Sequence, residues 1–256
     1  MLLIILIIAH FIADFYLQSE NMAKNKKEYT KVLLAHCAIY AVIFALVNGV
    51  FIEGKFTLLA TLIIAISHLI VDFIKIKVDN KTPKYSVWFY TFTFDQILHI
   101  GVITATYKLL DLAQNTTVIY SKCLRFDKVE EIVVYALLFA FLLKPVGVFI
   151  YKLLPCLLKE KHKIIFDDIR DTIPTHKFDN IIGQLERMII AILLLCGQYS
   201  AIGLVLTAKS IARFKQLEDK TFAEQYLIGT LISLAIALVT TMAVKYFLPQ
   251  ITLVAY

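Results

Sequence analysis

Two short polar motifs inside apolar runs near the N-terminus limit what this chain can fold into. AHFIADF places His10 and Asp14 four residues apart, and SHLIVDF places His68 and Asp72 at the same spacing. On a helix, residues four apart lie on one face. An ionisable side chain inside a membrane-spanning helix is energetically costly, so each pair indicates a function.

Three further residues of the same chemical types lie in the apolar runs that follow. His36 lies in LLAHCAIY, and Asp95 and His99 lie four residues apart in FDQILHI. All seven imidazole and carboxylate groups fall within the first hundred residues. Imidazole and carboxylate are common ligands of zinc and iron, and carboxylate also suits manganese and magnesium, so this set is typical of a metal site.

Long apolar runs dominate the rest of the chain as well. Of its 256 residues, 59% are hydrophobic, and the mean hydropathy is +0.75. Because an ordinary soluble domain is far less apolar, the sequence predicts an all-α transmembrane bundle of about seven spans. The predicted spans cover residues 1–18, 31–52, 56–77, 86–110, 130–154, 182–208 and 224–248.

Polar segments between the spans divide the chain into three predicted domains. These are a four-span His/Asp domain (1–110), the fifth span with a polar cytoplasmic segment (111–181), and a C-terminal two-span hairpin (182–256). Lys and Arg residues cluster between the apolar runs, where they indicate membrane topology and contacts with lipid headgroups. The formal net charge of +6 therefore points to membrane lipids as partners and not to nucleic acid. Association of several copies of the chain is left open.

The basic loops also predict the orientation of the first four spans. Lys24, Lys26 and Lys27 follow the first span, and Lys81 and Lys84 follow the third, so both loops are predicted to lie in the cytoplasm. A rise of about 1.5 Å per helical residue then places all seven His and Asp groups about 5–20 Å below the cytoplasmic boundary. Groups in one layer can converge on one site.

The span pattern predicts a repeat and leaves one conflict. The His and Asp motif recurs in the first and third spans, which suggests a parallel repeat of two spans. Lys144-Pro145 predicts a kink in the fifth span. If the chain crosses the membrane seven times, the basic loop at 209–220 lies on the outer side of the membrane. Either this loop departs from the positive-inside rule or an earlier segment is not a simple crossing, and Gly197 and Gly203 are candidate break points.

The His and Asp residues predict a divalent-metal site, with zinc favoured and manganese or iron also compatible. The predicted ligands are His10, Asp14, His36, His68, Asp72 and His99. Asp95 is predicted to be a further ligand or the general base. Such a metal activates water for attack on a phosphoester, carboxylester or amide. The leading hypothesis is a metal-dependent hydrolase acting on a lipid or other amphiphilic substrate in the cytoplasmic half of the membrane.

Two other functions would use the same residues. A cation transporter or proton relay needs a polar path to the outer face, and little of the first four spans outside the His/Asp layer provides one. A non-catalytic membrane protein would use its His and Asp side chains only to join helices by hydrogen bonds. This last alternative needs no metal.

The second half of the chain carries its own charged residues near span ends. Glu186 and Arg187 lie near the start of the sixth span, and Lys209 and Arg213 follow it. Lys209 and Arg213 are predicted to extend along their helices to the headgroup region. In the alternative, Glu186 and Glu224 pair with the two arginines and tie the last two spans together.

Several segments resemble a known family. HFIADFYLQ, LLAHCAIY, SHLIVDFIK and FDQILHI resemble the bacterial membrane proteins called domain of unknown function 3307, whose N-terminal domain carries comparable His, Asp and DQ-x-x-H positions. AKSIARF and EQYLIGTLIS are similar to the C-terminal part of longer members. The resemblance implies an integral protein of the bacterial inner membrane and supplies no reaction. A looser likeness to membrane-bound metal-dependent hydrolases, which carry intramembrane His and Asp residues, points to the same hydrolase activity.

Overall fold

The chain is predominantly helical over the residues described by the computed structural model, which are 1–157 and 176–254, with backbone alone for 176–180 and 249–254. The helices are α1 (Leu2–Phe11), α2 (Glu20–Asn25), α3 (Thr30–Phe51), α4 (Gly54–Lys81), α5 (Tyr85–Leu109), α6 (Val118–Cys123), α7 (Val129–Leu143), α8 (Pro145–Leu157), α9 (His176–Leu195), α10 (Tyr199–Ala212) and α11 (Lys220–Val254). Within these residues no strand forms, and an isolated bridge joins Ile52 and Thr116. The predicted all-α class is therefore confirmed for this part of the chain.

Four stretches of the described chain are long and apolar enough to cross a membrane. They are Thr30–Phe51, Gly54–Lys81, Val129–Leu157 and Lys220–Leu248. Only 17% to 33% of their most apolar windows is buried, so much of their apolar surface is free to face lipid. These four stretches coincide with the predicted second, third, fifth and seventh spans.

The predicted count of about seven spans is not confirmed. The first predicted span is a shorter apolar helix, Leu2–Tyr16. Helix α5 has sufficient length, but polar residues such as Asp95, Gln96 and His99 lower its hydropathy. The second predicted domain (111–181), which contains the fifth span and the polar cytoplasmic segment, includes residues 158–175, which lie outside the described residues.

The predicted sixth span over 182–208 is interrupted, as one of the two alternatives allowed. Helix α9 ends at Leu195 and α10 begins at Tyr199. Between them Gly197 adopts a φ of +73°, a left-handed conformation that side chains rarely tolerate and that ends helices. Gly203 lies inside α10, so the break falls at only one of the two candidate glycines.

The described residues divide into two compact units, Met1–Ala140 and Phe141–Tyr256. In the first unit, α1 packs against α3 and α5, and α4 packs against the same two helices. The four helices therefore form a closed ring. Their buried apolar residues, including Leu6, Phe44, Ile64 and Ile103, form one core that excludes water from the ring interior.

In the second unit, the helical path breaks beside the predicted proline kink. Helix α7 ends at Leu143 and α8 begins at Pro145, because proline lacks the N–H that a continuous helix needs. Arg187 donates from Nε to the carbonyl of Leu142 at 2.6 Å and from Nη2 to that of Leu143 at 2.9 Å. Its guanidinium thus satisfies carbonyl groups that the break exposes.

The prediction that Lys209 reaches for the headgroup region is wrong. Its Nζ lies 2.5 Å from Glu186 Oε2 and 3.1 Å from Thr230 Oγ1. The Glu186 side chain is 6% exposed, so this ion pair is largely shielded from solvent. Glu186 thus pairs with Lys209 and not with Arg187, its partner in the alternative prediction. This ion pair connects α9 with α10.

Candidate metal centre

The seven predicted His and Asp residues converge inside the ring of α1, α3, α4 and α5. Six of them are at most 3% exposed as whole residues, and the Asp14 side chain is 8% exposed. The six are His10, His36, His68, Asp72, Asp95 and His99. The structure therefore brings together the groups that were predicted to lie in one layer.

The two copies of the His and Asp motif have different local structures. His68 and Asp72 lie within the regular helix α4, whereas His10 lies in the last turn of α1 and Asp14 lies in a π-helical turn, Ile12–Tyr16. A π-helical turn contains an extra residue, so it shifts the side chains that follow around the helix axis. The motif copies are therefore not equivalent in geometry.

Four donor atoms meet at the centre of the cluster. His36 Nε2 lies 3.3 Å from Asp14 Oδ1, 3.1 Å from His68 Nε2 and 3.6 Å from Asp72 Oδ2, and His68 Nε2 lies 3.9 Å from the same Asp72 oxygen. A tetrahedral metal with bonds of about 2.0–2.1 Å separates its ligand atoms by about 3.3 Å. The ligand atoms of Asp14, His36 and His68 all lie within 4.8 Å of one another, so these three residues could hold a divalent metal, whereas Asp72 belongs to the neighbouring groups.

The outer ring nitrogens of His36 and His68 differ from those of a typical metal-binding imidazole. His36 Nδ1 and His68 Nδ1 are buried and have no hydrogen-bond partner among the described residues. A metal-binding imidazole usually donates its other N–H to a carboxylate, carbonyl or water. The ring of Tyr40 stacks face to face on the imidazole of His68, with 3.7 Å between the ring centroids and an interplanar angle of 5°. Packing thus orients this imidazole.

His10 makes hydrogen bonds through both ring nitrogens. Its Nε2 donates to Gln96 Oε1 at 3.1 Å, because an amide oxygen can only accept. Its Nδ1 then accepts from the Tyr40 hydroxyl at 3.1 Å. His10 also lies outside all three groups of described side chains whose ligand atoms fall within 4.8 Å of one another. The structure therefore places this predicted ligand in a bridge between helices.

Gln96 links the outer and central parts of the cluster. Its Nε2 donates to Asp14 Oδ2 at 2.9 Å and to Asp95 Oδ2 at 3.1 Å, while its oxygen accepts from His10. The amide thus connects α1 with α5 and holds two carboxylates in place. The DQ-x-x-H pattern contained this residue, but its spacing did not identify the partners.

Asp95 and His99 form a second part of the cluster. Asp95 Oδ1 accepts from His99 Nε2 at 3.1 Å, and Asp95 Oδ2 lies 2.5 Å from Lys75 Nζ. Asp72, Asp95 and His99 also form one of the three groups that could hold a metal. The structure therefore brings the predicted general base together with a lysine that the sequence prediction missed.

A second missed lysine comes from the segment that joins α2 and α3. Lys26 Nζ lies 2.6 Å from Asp72 Oδ2 and 3.1 Å from Gln18 Oε1, and Lys26 is 8% exposed. The neighbouring Lys27 pairs with Asp79 at 3.5 Å, which fastens this segment to α4. In the sequence, Lys26 belongs to a basic loop, which indicates membrane topology and no role in the site. Lys75 was detectable, because His68, Asp72 and Lys75 follow one face of α4 at helical spacing.

Cys37 is a further residue outside the predicted set of ligands. It is 8% exposed and, with His68 and Asp72, forms the remaining group of ligand atoms within 4.8 Å. Its sequence position next to His36 was the available signal. The fold and the site together define a helical membrane-type bundle with a buried cluster of His, Asp and Lys side chains.

Comparison with known families assigns the first part of the chain. Residues 2–126 match the model of a family described as Protein of unknown function (DUF3307), so this part of the chain is similar to that family. The match contains all seven predicted site residues and both buried lysines. No curated protein and no solved structure matches the chain. The predicted resemblance to this family is thus confirmed, and the likeness to metal-dependent hydrolases receives no support from the comparisons.

Proposed function

We propose that Met1–Ala140 contains a divalent-metal centre in which Asp14, His36 and His68 are the protein ligands. The carrying observation is the convergence of one carboxylate oxygen and two imidazole nitrogens, with separations of 3.3 Å and 3.1 Å from His36 Nε2. Two imidazoles and one carboxylate suit zinc first and also accept iron or manganese. Asp72 lies beside them and provides either a fourth ligand or a proton acceptor.

The balance of charge supports a bound cation. The cluster contains the carboxylates of Asp14, Asp72 and Asp95 and the ammonium groups of Lys26 and Lys75. With neutral imidazoles, three negative and two positive charges leave one negative charge unbalanced in a site shielded from water. A buried unbalanced charge is costly, and a divalent cation beside Asp14 would offset it.

We propose that this centre belongs to a metal-dependent hydrolase acting on a lipid or other amphiphilic substrate. A metal with three protein ligands and a free position supplies Lewis acidity and an activated water. Asp72 would accept a proton next to that position, since its Oδ2 lies 3.6 Å and 3.9 Å from the two imidazole nitrogens and shares that proton-accepting site with Lys26 Nζ at 2.6 Å. Asp95 is held by Lys75, Gln96 and His99, which supports an orienting role for this residue.

The test begins with the metal content of the purified chain in detergent. We expect about one transition-metal equivalent in the unaltered protein and a loss of most of it in His36→Ala and His68→Ala. His10→Ala is the matched control, since it also removes a buried imidazole but leaves the three ligands. Background metal in the unaltered protein would exclude the centre and the enzyme. Hydrolysis of phosphoester, carboxylester and amide lipids by metal-loaded protein then tests the reaction.

A structural role for the cluster is the second candidate, and one observation favours it. His10, Tyr40 and Gln96 form hydrogen bonds that connect α1, α3 and α5 without any metal. If the cluster only joins helices, His36→Ala and His68→Ala should lower stability without changing metal content. Transport of a cation or a proton through the same groups remains a prediction, which uptake into proteoliposomes tests.

A further inference from the structure

We infer that Lys75 occupies a second cation position beside the proposed metal. The centre therefore binds one metal, although it has enough ligands for two. The inference rests on the proposed function, because it concerns the number of metals in the same site. It assigns to the Lys75 ammonium the place of a second divalent cation.

The second position is formed by Asp72, Asp95 and His99. Each of these residues offers a ligand atom, and the three atoms lie within 4.8 Å of one another. Asp72 also contacts His36 and His68 of the first position, at 3.6 Å and 3.9 Å. A carboxylate shared between neighbouring positions is a usual feature of sites with two metals. The ligands for a second metal are thus adjacent to the first.

Lys75 contacts one of the three residues of this second position. Its Nζ lies 2.5 Å from Asp95 Oδ2, and its side chain is 16% exposed. The ammonium also lies 5.5 Å from the centroid of the Phe92 ring, within the range of a cation–π contact. Lys75 follows Asp72 by three residues on α4, so both side chains lie on one face of this helix.

Electrostatic repulsion then sets the number of metals. Binding of one divalent metal changes the charge of the cluster from one negative to one positive, with Lys26 and Lys75 both charged. A second divalent metal would have to enter a site that is already positive and poorly screened. Without the Lys75 charge, the cluster is neutral after the first metal has bound. A second metal would then find the Asp95 carboxylate without an ammonium partner. Removal of this ammonium should therefore create a second metal site.

The experiment measures manganese per chain, with Mn²⁺ as the probe, in the unaltered protein and in Lys75→Met. We expect about one equivalent in the first and about two in the second, together with the magnetically coupled EPR signal of two Mn²⁺ ions at about 4 Å. Lys77→Met is the matched control, because Lys77 is an exposed lysine on the same helix, and it should keep one equivalent. Asp95→Asn added to Lys75→Met should return the content to one.

Each outcome bears on one of the two proposals. One equivalent in both the unaltered protein and Lys75→Met would overturn the role of Lys75 and leave the metal centre intact. Two equivalents in the unaltered protein would also overturn it. No metal in the unaltered protein would overturn the proposed function itself. If Lys75→Met does not fold, Lys75→Gln provides the same comparison with a polar side chain of similar length.

Discussion

The Nε2 atoms of His36 and His68 face each other at 3.1 Å, on neighbouring helices of the first unit. Two neutral imidazoles in this position share one proton at most, and the outer nitrogen of each ring has no partner among the described residues. Asp14 and Asp72 lie within 4 Å of the same point. A divalent metal would bind both nitrogens at once, which is why this contact is central to the proposed function.

Gln96 is predicted to stabilise the bundle independently of metal. Gln96→Leu removes the donor to Asp14 and Asp95 and the acceptor for His10. Each buried polar group left without a partner costs about 1–3 kcal/mol, so the thermal midpoint in detergent should fall clearly. Metal content should persist in the folded fraction. Gln114→Leu is the control, because Gln114 is exposed, and equal stability of the two variants would contradict this role.

Asp95→Asn is predicted to destabilise the protein because it leaves the Lys75 ammonium without its carboxylate. Loss of one partner of a buried ion pair costs about 3–5 kcal/mol, whereas removal of both is much less costly. The double variant Asp95→Asn, Lys75→Met should therefore unfold at a higher temperature than Asp95→Asn alone. A double variant no more stable than the single one would show that the pair is not coupled.

The same variant tests the catalytic role predicted for Asp95. Asn keeps hydrogen-bonding groups but has no charge, so an orienting role predicts reduced turnover at unchanged metal content. The comparison is made on folded protein for whichever lipid ester the unaltered protein hydrolyses. Unchanged turnover would remove Asp95 from the reaction.

In the second unit, the Glu186–Lys209 pair is predicted to hold α9 and α10 together. Lys209→Met leaves a carboxylate that is 6% exposed without its cation and should cost about 3–5 kcal/mol. Adding Glu186→Gln should recover most of that loss. Lys215→Met, at an exposed lysine, is the control and should have little effect. The readout is unfolding in detergent, and a Lys209→Met protein as stable as the control would contradict the pairing.

Topology is predicted from the two basic loops that flank the cluster. Reporters fused after Lys27 and after Lys81 should both indicate the cytoplasm, since short basic loops remain on that side. The contacts of Lys27 with Asp79 and of Asn80 with the Lys27 carbonyl require the two loops to lie on one side. Reporters on opposite sides would therefore contradict both the topology and the structure of the first unit.

The sequence by itself determined the helical class and the chemical identity of the cluster. Apolar runs of membrane length specify helices because a backbone without water must satisfy its own hydrogen bonds, and α3 and α4 follow the predicted bounds closely. The His and Asp residues were detectable because ionisable groups are rare in such runs. Their similar depth, deduced from helical rise, was enough to predict that they meet.

Only the tertiary structure decided which of these groups contact one another. Lys26 lies in a basic loop and looks like a topology signal, but the fold directs its ammonium to Asp72. Lys209 pairs with Glu186, which is 23 residues away along the chain. His10 pairs with Tyr40 and Gln96, so it is separated from the central ligands. Local periodicity gives the face of each helix, whereas partners depend on how faces of distant helices are packed, and that information is not local.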